Sequence, residues 1–370
     1  MPGTQDWKRL ASETVRTLDP EDVHDVIRVD WRQAERSLLG GRADDIAAEK
    51  DPFKRFFRGA NAVLFGLLRL MAPARRVLLV AALLFTLMGT FELADQFSVN
   101  LSGQLVGVTI LFVLLILELV DKVQFKDELL LARSVQGDLI PQVPPEVPGL
   151  EIAAFNRSAN TVGGDLYDFL RLPDGSLFVV FGDASGHGMA AGLVMAVAHT
   201  AVRTQIETDS SPEAVAVAIN RILCKTGACR TAGARQFFAG VILTLAQDGR
   251  YRMLFAGHPP VLQLSPEGTI ARRLGRGAYP FGVKENATFG VEEGVLAPGE
   301  ALVFHSDGLP EARDAFGHEY GDARVEAILT RTAHPSAAGI VGELTTSLFA
   351  FLGRRAIEDD VSIAVIRRKP

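Results

Sequence analysis

Two stretches of the sequence decide the fold: Val162-Gly163-Gly164-Asp165-Leu166-Tyr167-Asp168 and Phe181-Gly182-Asp183-Ala184-Ser185-Gly186-His187-Gly188. In each stretch an aspartate stands on or beside a glycine-containing turn next to an apolar, strand-like run. Glycine allows the backbone to turn sharply and lets other groups approach closely. Two further acidic clusters follow, at Ser306-Asp307-Gly308 and at Glu358-Asp359-Asp360. The pattern predicts strands that deliver carboxylates to turns, where ligands can gather.

Four acidic clusters together indicate a site for hard metal ions such as Mg²⁺ or Mn²⁺, which prefer carboxylate oxygens as ligands. A single Asp-Gly pair is weak evidence, because the same pair is the commonest chemistry of a turn; the inference depends on the joint occurrence of four clusters. The only two cysteines, Cys224 and Cys229, have no matching zinc half-site. We interpret them as ordinary thiols in a reducing compartment.

The composition narrows the class of protein. A chain of 370 residues allows two or three domains, and a net charge of −6 gives no reason to expect a nucleic-acid partner. The hydrophobic fraction of 48% is high for a wholly soluble enzyme. The excess is local, since it lies in two runs without charged residues, Val77–Phe91 and Gln96–Leu117.

These two runs predict a transmembrane helical hairpin over residues 77–120. The short loop between them has no basic residue. The basic residues that flank the hairpin are Arg69, Arg75 and Arg76 before it and Lys122 and Lys126 after it. The positive-inside rule then places both termini in the cytoplasm and makes the chain a multi-pass protein of the inner membrane. A buried hairpin in a soluble core is the alternative.

The hairpin divides the rest of the chain. Residues 1–76 predict a helical region in the cytoplasm or on the membrane surface, and residues 121–149 predict a helical linker that ends at a proline-rich boundary. An apolar stripe on the linker, which includes Leu129, Leu130 and Val135, predicts a homodimer formed through this helix. Packing of the stripe on the next domain is the alternative.

Residues 150–370 predict one compact domain in which strands and helices occur in separate batches. The Gln247-Asp248-Gly249 turn joins two strand-like runs closely, so at least that pair is antiparallel. Grouped helices favour antiparallel sheet packed with helices over a doubly wound fold. The helix-like runs are Ala190–Gln205, Pro212–Lys225, Arg324–Arg331 and Ser336–Leu352.

Residues 128–368 resemble the bacterial branch of the PPM (PP2C-like) serine/threonine phosphatases, the SpoIIE and RsbU group. The stretches that carry the resemblance are Glu128–Arg133 with Gln136, Val162–Asp168, Gly182–Gly188, Ala256–Pro260, Pro280–Gly282, Ser306–Ala312 and Asp359–Ser362. The resemblance implies an α+β fold, a β-sandwich of two antiparallel sheets flanked by helices, here preceded by the transmembrane hairpin and the linker. It also implies a site for two Mn²⁺ or Mg²⁺ ions.

The resemblance also implies roles for particular residues. Asp183 matches the carboxylate that bridges the two ions, and the Ala184 backbone carbonyl matches a ligand of one ion. The other aspartates that match ligand positions are Asp165, Asp307, Asp359 and, at a position where distant relatives often carry asparagine, Asp360. Asp165, Asp183, Asp307 and Asp359 are the implied catalytic residues.

Two divalent ions can activate a water for attack on phosphorus, so this chemistry needs no side-chain nucleophile. Ser185 and Cys224 have no evident base partner. Arg157 is a candidate phosphate ligand, with a plain surface arginine as the alternative. His187 and His258 are candidate acids for the leaving group, with a hydrogen bond to their own turns as the alternative.

The resemblance implies a phosphorylated protein substrate, which in this group is usually a STAS-domain anti-anti-sigma factor. A catalytically inactive membrane scaffold that binds a phosphoprotein is the alternative function. A diguanylate cyclase is disfavoured: Leu166 and Tyr167 follow Gly163-Gly164-Asp165 where that signature requires acidic residues and phenylalanine, and the later aspartate motifs would have no role.

Overall fold

The computed structural model describes residues 51–370 except 52, 55–57, 60, 63–64, 66–67, 69–70, 88–89, 93–99, 142, 227–229, 232–233, 276 and 331–335. The chain separates into two compact units, Met1–Val123 and Gln124–Pro370. Most of the predicted N-terminal helical region therefore lies outside the described residues, as does Cys229.

The first unit contains helix α1 (Pro73–Leu87), strands β1 (Thr90–Glu92) and β2 (Asn100–Ser102), and the start of helix α2 (Gly103–Leu139). The two strands pair antiparallel. Both predicted apolar runs are thus helical over only part of their length. Because Asn100–Ser102 form β2, helix α2 begins only at Gly103.

Helices α1 and α2 lie antiparallel in the first unit. Arg75 near the start of α1 forms ion pairs with Glu118 (3.0 Å) and Asp121 (2.6 Å) of α2. At the other end, Gly107 permits close approach, since a β-carbon there would lie 2.7 Å from the Ala82 carbonyl oxygen. Of the helices in the described part of the chain, α2 alone is long and apolar enough to cross a membrane; α1, with 15 residues, is short for a span. The predicted two-span hairpin is therefore matched only in part.

The second unit consists mainly of two five-stranded sheets in which every ladder is antiparallel. The bounds of the strands, including the short pair β6 and β7, are β3 (Leu150–Arg157), β4 (Leu166–Arg171), β5 (Leu177–Ala184), β6 (Arg230–Thr231), β7 (Ala234–Arg235), β8 (Phe238–Leu245), β9 (Arg250–Ala256), β10 (Val261–Leu264), β11 (Ile270–Leu274), β12 (Val291–Val295), β13 (Ala301–His305) and β14 (Val361–Arg368). The strand orders are β11-β10-β13-β14-β3 and β12-β9-β8-β5-β4.

The sheets pack face to face and each carries helices on its outer side. Side chains alternate along β5: Phe181 points into the sandwich, 5.8 Å from the ring of Phe304 on β13, whereas Phe178 and Val180 face the helices. Helices α3 (Met189–Ile206) and α4 (Pro212–Lys225) cover the second sheet, and α5 (Asp322–Leu329) and α6 (Ala337–Leu352) cover the first. The predicted α+β sandwich flanked by helices is confirmed.

Candidate metal centre

The four acidic clusters meet at one end of the sandwich because of strand register. In the second sheet Leu166 of β4 pairs with Gly182 of β5, which places Asp165, just before β4, beside Asp183 near the end of β5. In the first sheet His305 of β13 pairs with Ile363 of β14. Asp307, just beyond β13, is therefore beside Asp359 and Asp360, which immediately precede β14.

Hydrogen bonds join these two halves of the acidic site. The Asp360 carboxylate accepts the backbone N–H of Ala159 (2.7 Å) with one oxygen and the N–H of Gly164 (2.6 Å) with the other. Both donors lie in the loop that connects β3, the neighbour of β14 in the first sheet, with β4 in the second sheet. Asp360 thus holds that loop in place, and direct contact between Asp360 and a metal ion stays a prediction.

Asp165 is buried and neither of its carboxylate oxygens has a hydrogen-bond partner. Burial raises the pKa of Asp165 to about 7; the nearby hydroxyls of Ser362 and Ser306 oppose the rise, and the charges of Asp360 and Asp307 add to it. A buried carboxylate without a donor is costly unless a cation or a proton neutralises it. The two oxygens of Asp165 are therefore suited to accept a cation, and ligation of an ion by this residue stays a prediction.

Asp183 is half-buried and lies among the other acidic side chains. Burial, followed by repulsion from Asp165, Asp307, Asp359 and Asp360, raises its pKa to about 10. Burial and the charge of Asp359 likewise raise the pKa of Asp307. The site thus concentrates carboxyl groups whose charges repel one another, so that without a cation they retain protons to higher pH.

The donor set fits hard divalent cations. It consists of carboxylate oxygens, and the Ala184 carbonyl lies close to them: a β-carbon at Gly164 would come within 2.7 Å of Asp183 Oδ1 and 2.9 Å of the Ala184 oxygen. Glycine at position 164 is required for this approach, since any side chain would displace both donors. Among the described residues no three acidic, histidine or cysteine side chains are close enough together to hold one metal ion, so binding of an ion by these carboxylates stays a prediction.

Gln136, near the end of α2, contacts the same loop. Its buried side-chain amide donates to the Gly163 carbonyl (2.6 Å) and accepts the Gly163 N–H (3.0 Å). The contact fixes the peptide that precedes Gly164 and Asp165. The sequence resemblance marked Gln136 but gave it no role.

The remaining candidates lie apart from the carboxylates or are engaged elsewhere. The Arg157 guanidinium stacks over the Phe349 ring of α6, with Cζ 4.9 Å from the ring centroid, on the outer side of the first sheet. His187 is exposed, and His258 Nδ1 contacts the Pro259 carbonyl at 2.8 Å. Burial lowers the pKa of His258 to about 4, so this residue is neutral at pH 7 and poorly suited to give up a proton. Phosphate binding by Arg157 stays a prediction that this position does not favour.

Asp168 is a charged residue to which the sequence assigned no role. It is fully buried, and its carboxylate accepts two hydrogen bonds from Arg203 (2.7 and 3.0 Å) and faces His199 Nε2 at 3.1 Å. Two signals could have found it. Asp168 shares the helix-facing side of β4 with Leu166 and Leu170, because residues two apart on a strand point to the same face. His199 and Arg203 are four residues apart and so lie on the same face of α3.

Comparisons with known proteins agree with this architecture. The family model for Stage II sporulation protein E (SpoIIE) matches residues 173–369, which is more than half of the chain. That range contains Asp183, Asp307, Asp359 and Asp360, whereas Asp165 precedes it.

Individual relatives are more distant. Protein IcfG of Synechocystis sp. is 27% identical over 227 residues, which are 55% of this chain and 36% of IcfG. Phosphoserine phosphatase RsbU of Bacillus subtilis is 25% identical over 247 residues, 66% of this chain and 71% of RsbU. The solved SiaA-PP2C domain of Pseudomonas aeruginosa has the same fold, with a TM-score of 0.58 and 20% identity over 67% of this chain and 98% of that chain. The matched region thus spans only about a third of IcfG.

Proposed function

The chain belongs to the SpoIIE family, and on that basis we propose that it is a metal-dependent protein-serine/threonine phosphatase. The observation that carries the proposal is the meeting of Asp165, Asp183, Asp307 and Asp359 at one end of the sandwich, with the Asp165 oxygens buried and without hydrogen bonds. The similarity to the phosphoserine phosphatase RsbU supports the substrate class.

The four carboxylates and the Ala184 carbonyl would hold two Mn²⁺ or Mg²⁺ ions. When bound, such ions supply the Lewis acidity that activates water and offsets charge on the phosphoryl oxygens. Asp183 would give up its proton on cation binding, since a neighbouring positive charge would offset the repulsion that raises its pKa. Gly164 and Asp360 hold the Asp165 loop against Asp183, so that these ligands are positioned before the substrate arrives.

The side chains of the site point to direct displacement by water. Ser185 Oγ accepts the Phe237 N–H at 2.8 Å and so takes part in the turn. Burial lowers the pKa of His258, so its imidazole is neutral at pH 7, and its Nδ1 contacts the Pro259 carbonyl oxygen. Neither residue forms the nucleophile–base pair that covalent catalysis requires.

A membrane anchor is part of the proposal. The apolar side chains of α2 that would face lipid are largely exposed, among them Leu105 (68%) and Phe112 (61%). The apolar length of α2 and the basic residues that flank the region support an inner-membrane location with the phosphatase domain in the cytoplasm. We also propose that α1 enters the membrane, and this part of the proposal is supported by the close packing of α1 against α2 at Gly107.

Partner proteins form the last part of the proposal. We expect the substrate to be a phosphorylated regulatory protein of the STAS anti-anti-sigma type, which the similarity to RsbU supports. Leu130, Leu131 and Val135 expose an apolar stripe on α2 that suits pairing with a second copy. Gln136 lies one residue beyond that stripe. A movement of α2 on dimer formation would therefore be transmitted to the Asp165 loop through the two hydrogen bonds between Gln136 and Gly163.

Turnover of a small aryl phosphate by the full chain in detergent tests the proposal. The expected result is hydrolysis that requires Mn²⁺ and is lost in Asp183→Asn. Asp174→Asn is the matched control, because it removes an exposed carboxylate from the turn at the opposite end of β5. A folded, Mn²⁺-binding protein that binds a phosphoserine peptide without hydrolysing it, in detergent and in lipid nanodiscs, would contradict the proposal and favour the scaffold.

A further inference from the structure

A buried charge lies within the apolar layer between the second sheet and helix α3. Along β4 the side chains of Leu166, Asp168 and Leu170 face this layer, where Leu166 and Leu170 pack with apolar side chains of α3 and α4. Asp168 is fully buried, and its partners His199 and Arg203 both come from α3. The Arg203 guanidinium makes two bonds to the carboxylate, which fixes both distance and direction.

An ion pair in this place contributes more to specificity than to stability. Burying the Asp168 carboxylate costs about as much as its attraction to Arg203 returns, and the Arg203 side chain itself stays 47% exposed, so the pair gives little net stability compared with apolar residues. The other contacts of α3 with the sheet are made by apolar residues, among them Ala191, Val194, Met195, Ala198 and Val202. Such contacts are not directional and tolerate small shifts of a helix along the sheet. The bonds to Asp168 select one position.

The other end of α3 contacts the loop that carries Asp165. A β-carbon at Gly192 would overlap the Val162 side chain, and a β-carbon at Gly164 would lie 3.1 Å from Ala191 Cβ. Ala191 is eight residues before His199, roughly 12 Å along a rigid helix. A shift of α3 at Arg203 is therefore transmitted to the Asp165 loop.

We infer that Asp168, held by Arg203 and His199, is a positioning residue. It fixes the position of α3 along the sheet at which Asp165 and Asp183 form a high-affinity metal site. The inference rests on the proposed function, because it concerns the affinity of the same metal centre. It assigns to Asp168 no contact with the substrate or the metal ions.

The test measures Mn²⁺ binding directly, from the electron paramagnetic resonance signal of free Mn²⁺ during titration of the full chain in detergent. Arg203→Met removes the two-bond contact, and Arg203→Lys keeps the charge without its geometry. Arg273→Met is the matched control, since Arg273 makes the same two-bond contact with Glu326 (2.9 and 2.7 Å) at the other sheet. Thermal melting of each variant reports stability separately.

We expect Arg203→Met to raise the Mn²⁺ dissociation constant about tenfold, the lower end of the effect of removing an outer-shell group. Arg203→Lys should lie between it and wild type, and Arg273→Met should bind like wild type. The Mn²⁺ concentration for half-maximal activity should rise more than kcat at saturating Mn²⁺ falls. Unchanged Mn²⁺ affinity in both Arg203 variants, whatever their melting temperatures, would overturn the inference alone. Wild-type protein that binds no Mn²⁺ would overturn the proposed function and this inference together.

Discussion

Single residues build the acidic site in two different ways. Asp165 and Asp183 present oxygens to its centre, whereas both oxygens of Asp360 accept backbone N–H groups of the neighbouring loop. The sequence could predict the first group, because Gly-Asp pairs beside strands follow a recognisable motif order. It could not separate the second, because the donors to Asp360 lie about 200 residues away along the chain. Asp168 was missed because its partners His199 and Arg203 come from another element, 31 and 35 residues further along the chain.

The raised pKa values predict how stability depends on pH without cations. Folding raises the pKa of Asp165 from 3.8 to about 7 and that of Asp183 to about 10, so the folded protein holds protons that the unfolded chain has released. Stability from these groups is fully present below about pH 4 and is lost as the pH rises through 7 toward 10. In EDTA, the free energy of unfolding from urea titrations should fall between pH 6 and pH 8.5.

Mg²⁺ should restore more stability at pH 8.5 than at pH 6, because cations compete with the protons of the same carboxylates. Asp183→Asn should reduce the fall in EDTA, since it removes the group with the larger shift. An increase in wild-type stability over this pH range in EDTA, or an Asp183→Asn curve of the same slope, would contradict this interpretation.

Gly164 provides a second test at the residue scale. In Gly164→Ala the new methyl group would stand 2.7 Å from Asp183 Oδ1 and 2.9 Å from the Ala184 carbonyl oxygen, so at least one donor must move. We expect Mn²⁺ affinity from calorimetric titration to fall about 10- to 100-fold, as for other changes that misplace ligands.

Gly342→Ala is the control for this substitution, because a β-carbon on the exposed face of α6 meets no atom within 4 Å. The control should bind Mn²⁺ like wild type and should be more stable by up to about 1 kcal/mol, since alanine favours helix. Equal Mn²⁺ affinity in the two variants would show that the Gly164 peptide does not position the ligands.

At the scale of elements, the ends of strands and helices carry the functional contacts. The predicted bounds of α3 and α4 differ from the observed ones by one residue or less, because their apolar periodicity and the Ser211-Pro212 start are local signals. The apolar runs Val77–Phe91 and Gln96–Leu117 predicted longer helices than α1 and the start of α2. Hydropathy alone does not distinguish an apolar helix from the short strands β1 and β2.

The contact between the end of α2 and the Asp165 loop gives a prediction at this scale. Gln136→Leu keeps the size of the side chain but leaves the buried Gly163 N–H and carbonyl without their partner, at a cost of about 1–3 kcal/mol. We expect faster hydrogen exchange at Gly163 and Gly164 and lower Mn²⁺ affinity.

Gln124→Leu is the matched control, since Gln124 is exposed on the same helix. It should leave exchange in the Asp165 loop unchanged. If both variants show wild-type exchange at Gly163, the loop is ordered without α2, and a regulatory role for this contact is excluded.

At the scale of the whole molecule, the fold brings together groups that no local pattern could join. The acidic clusters are separated by up to about 195 residues along the chain. They meet because the start of β4 and the end of β5 in one sheet lie at the same end of the sandwich as the end of β13 and the start of β14 in the other. The resemblance to a known family made this meeting predictable, whereas hydropathy and spacing gave only the classes of the elements. The proposed membrane anchor rests on composition, because α2 has the length and apolarity of a span.

The claim that the four acidic clusters form one two-ion centre is tested most directly by anomalous X-ray scattering at the manganese edge. A crystal of the protein grown with Mn²⁺ should show two peaks on either side of the Asp183 carboxylate, within ligand distance of Asp165, Asp307, Asp359 or the Ala184 carbonyl. The same crystals of Asp183→Asn should lose at least one peak. Peaks elsewhere on the surface, with none beside Asp183 in a wild-type protein saturated with Mn²⁺, would contradict the claim.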